Sequence, residues 1–279
     1  MRKITSELIK SFKKYLIEEE KSENTVEKYI RDITFFKVWL CGREVTKILA
    51  LEYKKELCEK YAPASVNAAI SSLNNFFSFM EWHDIRIKAL KIQRQIFSSK
   101  DKELTKAEYE RLLTAARDKK NQRLYYLIQT IASTGIRVSE LRYITTSAVH
   151  SGQAVISCKG KMRIVILPKE LCKILKGYIR DNNIKNGSVF VSRTGKPLDR
   201  SHIWKMLKAL CETAGVSKNK VFPHSFRHLF ARTYYSLQKD IVRLADILGH
   251  SSVNTTRIYT MSTDEVHRRQ IQKLGLLRC

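Results

Sequence analysis

Four side chains in the forty residues from 221 to 260 are of types that, at these positions, can act together on a phosphate. The four are His224, Arg227, His250 and Tyr259. Histidine moves a proton, arginine binds an anion through paired hydrogen bonds, and a tyrosine hydroxyl is a nucleophile. The same stretch has only two acidic side chains, whereas magnesium is held by carboxylate oxygens. This composition predicts phosphate chemistry without a bound metal.

The spacing of His224 and Arg227 places them on one face of a helix that Pro223 is expected to begin. Free backbone N–H groups at a helix start add to such a face, so the pair predicts an anion pocket. His228 follows His224 by one helical turn, which is also the spacing of a zinc pair. No glutamate stands between them as in HExxH, and we therefore expect no metal site.

Three more basic side chains upstream are candidates for the same chemistry. Arg137 follows Gly135, which interrupts an apolar helix and can aim Arg137 into a cleft. Its alternative is a simple ion pair with Glu140, three residues further on. Lys159 and Lys161 lie at the tip of a predicted hairpin, where a flexible lysine can reach a phosphate or only aid solubility. The spacing does not choose between the two lysines.

A chemical role for His250 and Tyr259 is indicated only when they are considered together with the arginines and the lysine. Gly249 is expected to end an amphipathic helix, which places His250 just after it, and Ser251 and Ser252 can cap a short helix that carries Tyr259. A lone histidine or tyrosine in such a place is more often structural. Together with two arginines and a lysine, however, they provide for in-line attack on a phosphodiester: charge neutralisation, a nucleophile, and a proton for the leaving oxygen.

The first part of the chain, residues 1–95, predicts a small domain of four helices. We expect caps at Ser6 for the first helix and at Asn24 or Thr25 for the second, then a third helix from Thr46 to Lys60 and a fourth that opens at Pro63. A polar stretch follows, in which we place a linker at 96–104. Thr105 and Glu108 then form a capping box that starts the second domain, residues 105–279.

The second domain mixes elements. The apolar run RLYYLIQTIAST predicts a buried helix that ends at Gly135, and a further helix begins at Val138. AVISCKGKMRIVILP predicts a β-hairpin around Gly160, residues 188–192 predict a short strand, and helices return from His202. The fold class is therefore mainly α with a small β-sheet.

The bulk composition predicts a soluble protein with a polyanionic partner. The 279 residues are 43% apolar and carry a net charge of +25, with 19 basic and 13 acidic side chains in residues 1–100 and 33 and 14 in residues 101–279. Double-stranded DNA is the expected partner, and an anionic membrane surface is the alternative. The sequence has no apolar stretch of membrane-spanning length, no signal peptide and no CxxC pair among six cysteines. We therefore expect a cytoplasmic protein with free thiols.

Four motifs resemble the tyrosine recombinase, or phage-integrase-like, family and its Xer-like members: TGIRVSEL (134–141), CKGKMRIVILP (158–168), HSFRH (224–228) and LGHSSVNTTRIYT (248–260). SENTVEKYIRDITFF resembles the helical core-binding domain of that family. Phe226 stands where the family usually has leucine, which is a packing change. The resemblance implies a core-binding domain and a mixed α/β catalytic domain that form a C-shaped clamp on DNA, with neither metal nor nucleotide cofactor.

The resemblance also implies roles for individual residues. Tyr259 would form a 3′-phosphotyrosyl link, and Arg137 and Arg227 would clamp the scissile phosphate. Lys159 (or Lys161) would protonate the leaving 5′-oxygen, and His224 would act as the base or would orient a reacting group. His250 would hydrogen-bond a phosphate oxygen, and Glu140 would brace the site. The tail, about 262–279, would dock on a neighbouring subunit in a DNA-bound tetramer.

The function expected from these features is site-specific recombination in the bacterial cytosol or nucleoid. A type IB-like topoisomerase shares the chemistry, and a non-catalytic DNA-binding protein is a further alternative, although no catalytic residue is missing. Candidate DNA contacts are Lys28, Arg31, Ser65 and Asn67 in the first domain and Arg193 and Lys196 in the second. A solvated surface is the alternative for each of them.

Overall fold

The computed structural model describes residues 2–92, 103–158, 161–192, 194–250 and 252–259, with the side chains of residues 158 and 161 excepted. The chain divides into two compact units, Met1–Arg94 and Gln95–Cys279. Both consist mainly of helices, and the strands in the described ranges form a single two-stranded sheet, so the predicted fold class is confirmed. No helix in these ranges is both long enough and apolar enough to cross a membrane.

Unit 1 is a bundle of α-helices around an aromatic core. Its elements are α1 (Ser6–Glu18), α2 (Glu23–Leu40), α3 (Lys47–Lys60), α4 (Pro63–Phe79) and a 3-10 helix (His83–Ile85). Their apolar faces meet at fully buried phenylalanines, among them Phe12 on α1, Phe36 on α2 and Phe76 on α4. The edge-to-face contact of Phe12 with Phe76, at 5.1 Å between ring centroids, adds to the hydrophobic contribution of their burial.

The predicted helices of unit 1 are present, but two caps differ. The hydroxyl of Thr5, not that of Ser6, accepts the hydrogen bond that caps α1. The second helix begins at Glu23, with extended Ser22 before it, so Asn24 and Thr25 lie inside its first turn and the predicted caps are wrong. The hydroxyl of Ser22 is bonded to that of Thr25 instead of to a backbone N–H. The third helix begins at Lys47, one residue after the predicted start, with Thr46 as its N-cap, and the predicted start of α4 at Pro63 is confirmed.

Unit 2 contains the remaining elements. They are α5 (Lys106–Asp118), α6 (Gln122–Thr134), a 3-10 helix (Val138–Tyr143), α7 (Thr146–Ser151), β1 (Gln153–Cys158), β2 (Lys161–Ile166), α8 (Lys169–Asp181), α9 (Arg200–Thr213), a 3-10 helix (Lys218–Lys220), α10 (Pro223–Gln238), α11 (Ile241–Leu248), α12 (Val253–Thr256) and a 3-10 helix (Arg257–Tyr259). Strands β1 and β2 are antiparallel, in register from Gln153↔Ile166 to Cys158↔Lys161.

Most local predictions for unit 2 are confirmed. Thr105 and Glu108 form the capping box of α5, and Gly135 ends α6 with φ at +63°. The helix predicted from Val138 is a single 3-10 segment. The strand predicted at 188–192 is wrong, because only isolated bridges form there, Thr145↔Ser188 and Val191↔Pro197. A proline partner has no N–H with which to continue a ladder.

The helices α6, α10 and α11 hold the backbone of the site in place. A Cβ at Gly135 would lie 2.5 Å from Cδ1 of Phe230 on α10, so only glycine permits this close approach of the two helices. A small apolar cluster of Ala231, Leu244, Leu248 and Tyr259 joins α10, α11 and the last 3-10 helix. The end of α6, the middle of α10 and the end of α11 therefore meet at one place.

Candidate active site

Arg227 lies at the centre of the site and is almost completely buried, with 1% of its surface exposed. Its Nη1 donates to the carbonyl of Gly135 at 2.5 Å and its Nη2 donates to the carbonyl of Leu248 at 2.7 Å. Burial and the nearby charge of Arg137 lower the pKa of Arg227 to about 10, and a side-chain hydrogen bond with Tyr259 acts in the opposite direction. Arg227 therefore stays cationic at neutral pH, fixed by backbone acceptors.

The end of α11 brings three arginines together. The consecutive carbonyls of residues 247 to 249 each accept from a different guanidinium: Arg163 Nη1 at 2.8 Å, Arg227 Nη2 at 2.7 Å and Arg137 Nη2 at 3.1 Å. The last carbonyls of a helix have no intrahelical partner and carry partial negative charge. One helix terminus therefore gathers positive charge from α10, from β2 and from the turn after α6.

Glu140 is the carboxylate of this cluster, and its side chain is almost fully buried. Its Oε1 accepts from Arg137 Nη1 at 3.0 Å, and its Oε2 accepts from Arg163 Nη2 at 2.6 Å and from the backbone N–H of Arg137 at 3.0 Å. Burial alone would raise the pKa of Glu140, but these hydrogen bonds and the charge of Arg163 outweigh it and hold the pKa below its ordinary value. Three arginines against one carboxylate leave an excess of positive charge for an anion.

His250 connects the arginines to the short helix that follows. Its Nε2 lies 3.0 Å from Nη2 of Arg227 and its Nδ1 lies 2.8 Å from the hydroxyl of Thr256. A guanidinium can only donate, so Nε2 is the acceptor and the proton is assigned to Nδ1. Burial, and then the charges of Arg227, Arg137 and Arg163, lower the pKa of His250 to about 4. The ring is neutral at physiological pH.

Tyr259 is buried beside these groups and is in contact with two imidazole rings. The ring of His228 meets it edge to face, at 4.9 Å between centroids and 87° between planes, and the ring of His250 lies nearly parallel to it at 6.1 Å. Its hydroxyl group interacts with Arg227. Rings therefore fix the orientation of the phenol, and a cation lies close to its oxygen.

His224 and His228 differ in their surroundings although they share α10. His224 lies in the first turn and keeps contact with solvent, but desolvation of part of its ring, and then the charges of Arg227, Arg200 and Arg137, lower its pKa. The pKa of His228 falls further, to about 4, because its ring is more deeply buried. Among the residues that the structure describes, no three histidine, cysteine, aspartate or glutamate side chains form a group that could hold a metal ion.

Comparison with known proteins decides the family. The phage integrase family matches residues 102–266, and the N-terminal SAM-like domain of phage integrases matches residues 9–84. The chain belongs to the phage integrase family. It is 30% identical to tyrosine recombinase XerA of Thermococcus kodakarensis, over 98% of this chain and 96% of that protein. It is 31% identical to tyrosine recombinase XerH of Campylobacter jejuni, over 85% of this chain and 73% of that protein.

Solved structures of tyrosine recombinases share the fold. The crystal structure of XerA recombinase aligns over 99% of this chain and 100% of that chain, with a TM-score of 0.53 and 28% identity. XerH bound to its difH substrate aligns over 92% of this chain and 82% of that chain, with a TM-score of 0.70 and 20% identity. A lambda integrase dimer bound to a COC′ core site aligns over 91% of this chain and 94% of that chain, with a TM-score of 0.74 and 17% identity. The family resemblance seen in the sequence is thus confirmed.

The structure of this integrase-family chain brings five of the six candidate catalytic residues into one region: Arg137, His224, Arg227, His250 and Tyr259. Lys159, the sixth, lies outside the described residues, as do Arg193 and the tail at 262–279. For Lys161 the backbone belongs to β2, and its side chain is not described. Arg137 both pairs with Glu140, as its alternative interpretation held, and points to the cluster at α11.

The candidate DNA contacts of unit 1 fall into two classes. Lys28 Nζ donates to the carboxylate of Asp32 at 2.5 Å and to the hydroxyl of Ser72, and the amide of Asn67 pairs with the backbone of Leu90 at 2.7 and 3.0 Å. These two side chains brace the bundle. Arg31 and Ser65 are exposed on the same unit, and Lys196 is exposed on unit 2.

Two functional contacts escaped the sequence analysis. Arg163 shares Glu140 with Arg137, and His228 packs on Tyr259, whereas the sequence suggested only a zinc role for His228. A signal for Arg163 was present in β2, where it alternates with the apolar side chains of Met162 and Ile164. In a half-buried strand such alternation places a lone arginine and a row of apolar side chains on opposite faces.

Proposed function

We propose that this chain cleaves and rejoins DNA strands at a specific site through a 3′-phosphotyrosyl intermediate, as a tyrosine recombinase. One observation carries the proposal: Arg137 and Arg227 converge on the end of α11 beside His250 and Tyr259. Two fixed guanidiniums can neutralise the non-bridging oxygens of one phosphodiester by bidentate contacts. Nothing in the family matches favours the topoisomerase or the non-catalytic alternative.

The covalent step follows from these positions. The hydroxyl oxygen of Tyr259 attacks phosphorus and forms a P–O bond, while the bond to the 5′-oxygen breaks. The phenolic proton passes to His224, which burial and the nearby arginines keep neutral and therefore able to accept a proton. The leaving 5′-oxygen takes a proton from Lys159, or from Lys161. Attack by a 5′-hydroxyl on the phosphotyrosine reverses the sequence and joins a strand, without any other reagent.

His250 can serve the phosphate without losing its partner. To donate to a phosphate oxygen its proton must lie on Nε2, whereas the free site places it on Nδ1. The hydroxyl of Thr256 can accept from Nδ1 or donate to it, so the tautomer can change while the Thr256 contact remains. An arriving phosphate oxygen would replace the acceptor that Nε2 offers to Arg227.

We further propose that the two units bind double-stranded DNA and that the tail at 262–279 docks on a neighbouring subunit in a tetramer. The net charge of +25 supports the first proposal, and the solved lambda integrase tetramer on a Holliday junction supports the second. The proposed DNA contacts are Arg31, Ser65, Arg193 and Lys196, whereas Lys28 and Asn67 are engaged within unit 1. The proposed location is the bacterial cytosol or nucleoid.

Covalent trapping tests the chemistry. The binding site is first selected from a pool of random DNA duplexes, and a nick is then placed so that the cleaved fragment diffuses away. The wild-type chain should give a covalent protein–DNA adduct, and Tyr259→Phe should bind the same DNA and give none. Lys159→Ala should cleave slowly and recover on a substrate with sulfur at the bridging 5′ position, because a thiolate leaves without a proton. An adduct formed by Tyr259→Phe would refute the assignment of the nucleophile.

A further inference from the structure

Arg163 occupies an unusual position in β2. Met162, Ile164 and Ile166 are 74%, 59% and 77% exposed, whereas the Arg163 side chain is only 15% exposed. The usual polarity of a half-buried strand is therefore inverted around this arginine. Such departures from local rules concentrate at functional sites.

The contacts of Arg163 fix it firmly. Its Nη1 donates to the carbonyl of Ile247 at 2.8 Å and its Nη2 donates to Oε2 of Glu140 at 2.6 Å, while its Nε is buried without a partner. The side chain passes directly over Gly249, where a Cβ would lie 2.3 Å from Cδ of Arg163. The backbone of the α11 terminus is thus shaped to let Arg163 reach Glu140.

The second contact leads to Arg137. Glu140 has two carboxylate oxygens, and it gives Oε1 to the guanidinium of Arg137 and Oε2 to that of Arg163. Without Arg163, the only remaining donor to Oε2 among these contacts is the backbone N–H of Arg137. Glu140 is then held by Arg137 alone, so it restrains Nη1 of Arg137 less firmly, and the carbonyl of Gly249 is the other acceptor that remains for Arg137.

We propose that Arg163 is a positioning residue for strand cleavage: it locks Glu140 and thereby holds the Arg137 guanidinium where the scissile phosphate binds. The inference rests on the proposed function, in which Arg137 contacts that phosphate. Arg163 acts through Glu140 in this proposal, because its Nη2 is bound to the same carboxylate that accepts from Nη1 of Arg137.

The test compares three substrates that carry the selected site. The first has an ordinary scissile phosphate, the second has a neutral methylphosphonate in its place, and the third has sulfur at the bridging 5′ position. A neutral centre needs less help from cations, so a defect that acts through the phosphate clamp should shrink on the second substrate only. Strand cleavage rate, DNA affinity and melting temperature are measured for each variant.

Arg163→Met should bind DNA with unchanged affinity and cleave the ordinary substrate about 10- to 100-fold more slowly. Its defect should shrink at least about tenfold on the methylphosphonate, as that of Arg137→Ala should, and should persist on the bridging sulfur substrate. Arg163→Lys keeps the charge but not the fork that spans Glu140 and Ile247. It should show an intermediate defect with the same substrate dependence, and it provides the readout if Arg163→Met does not fold.

Three outcomes would overturn the inference about Arg163. An equal defect on all three substrates would mean a purely structural role and would overturn the proposal. Rescue by bridging sulfur alone would mean that Arg163 acts through a hairpin lysine, which also overturns it. If the cleavage defect of Arg137→Ala is no smaller on the methylphosphonate than on the ordinary substrate, Arg137 does not bind the scissile phosphate as the proposed function requires. The inference about Arg163 would then be wrong as well.

Discussion

The substitution Gly249→Ala would probe the packing between Arg163 and the end of α11. Gly249 has φ at +64°, and an added Cβ would lie 2.3 Å from Cδ of Arg163 and 2.8 Å from its Nε. Alanine in this left-handed conformation costs about 1 kcal/mol. Displacement of Arg163 also removes its charge-assisted hydrogen bond to Glu140, worth about 1.5–3 kcal/mol. We expect the free energy of unfolding of unit 2 to fall by about 2.5–4 kcal/mol.

A matched control separates the two costs. Gly152 ends α7 with φ at +77°, and a Cβ there would meet no heavy atom within 4 Å. Gly152→Ala should therefore cost only the backbone strain, about 1 kcal/mol. Hydrogen exchange followed by mass spectrometry of peptides from α10 measures unit 2 without a contribution from unit 1.

A double-mutant cycle then assigns the larger cost. In an Arg163→Ala background the clash is absent, so Gly249→Ala should cost about 1 kcal/mol, and the coupling energy should be about 1.5–3 kcal/mol. If Gly249→Ala costs the same with and without Arg163, the contact between them is not the reason for glycine at position 249, and the account of how Arg163 reaches Glu140 is refuted.

Two further predictions concern pH and the charges of unit 1. The pKa values of His228 and His250 fall to about 4, from an ordinary value of 6.5, so both rings are neutral in the folded chain and the unfolded chain binds protons first. The free energy of unfolding should therefore be intact above about pH 6.5 and should fall as the pH is lowered toward 4. In urea titrations the free energy of unfolding of His228→Phe should fall less steeply with pH than that of the wild-type chain. An equally steep fall in both would contradict a neutral buried His228. Lys28→Met should destabilise unit 1 by about 1.5–3 kcal/mol through its lost bond to Asp32. Arg31 is exposed and its ion pair with Asp32 is long, at 3.8 Å, so Arg31→Met should cost less than about 1 kcal/mol and should reduce the salt dependence of DNA binding by about one unit of slope. If Lys28→Met lowers the salt slope instead, Lys28 contacts DNA rather than bracing the bundle.

Local features of this fold could be predicted from sequence because local chemistry determines them. The capping box at Thr105 and Glu108, the left-handed end of α6 at Gly135 and the start of α10 at Pro223 each depend on residues a few positions apart. The two cap predictions that were wrong each depended on a choice between neighbouring polar groups. Ser22 lies ahead of Asn24 and Thr25 and takes the start of α2, although all three are good capping types.

The arrangement of the site could be predicted only in part. His224 and Arg227 share a helix, so their proximity follows from spacing. The acceptors for Arg137, Arg163 and Arg227 are backbone carbonyls at residues 247 to 249, and every residue has a carbonyl, so no side-chain pattern marks them. The resemblance to a family supplied residues for the site and Glu140 as its brace, but it did not reveal the backbone carbonyls that hold the arginines.

Backbone acceptors have a physical consequence for the reaction. Three like charges repel one another, and one carboxylate compensates for only part of that repulsion. The carbonyls at the end of α11 add partial negative charge at fixed points, so Arg137, Arg163 and Arg227 keep their places before a phosphate arrives. A site that is arranged in advance spends little free energy on reorganisation when charge develops on the phosphate oxygens. Substitutions that move the turn at Gly249 should therefore slow cleavage more than they weaken DNA binding, because they disturb this arrangement and leave the remaining basic surface unchanged.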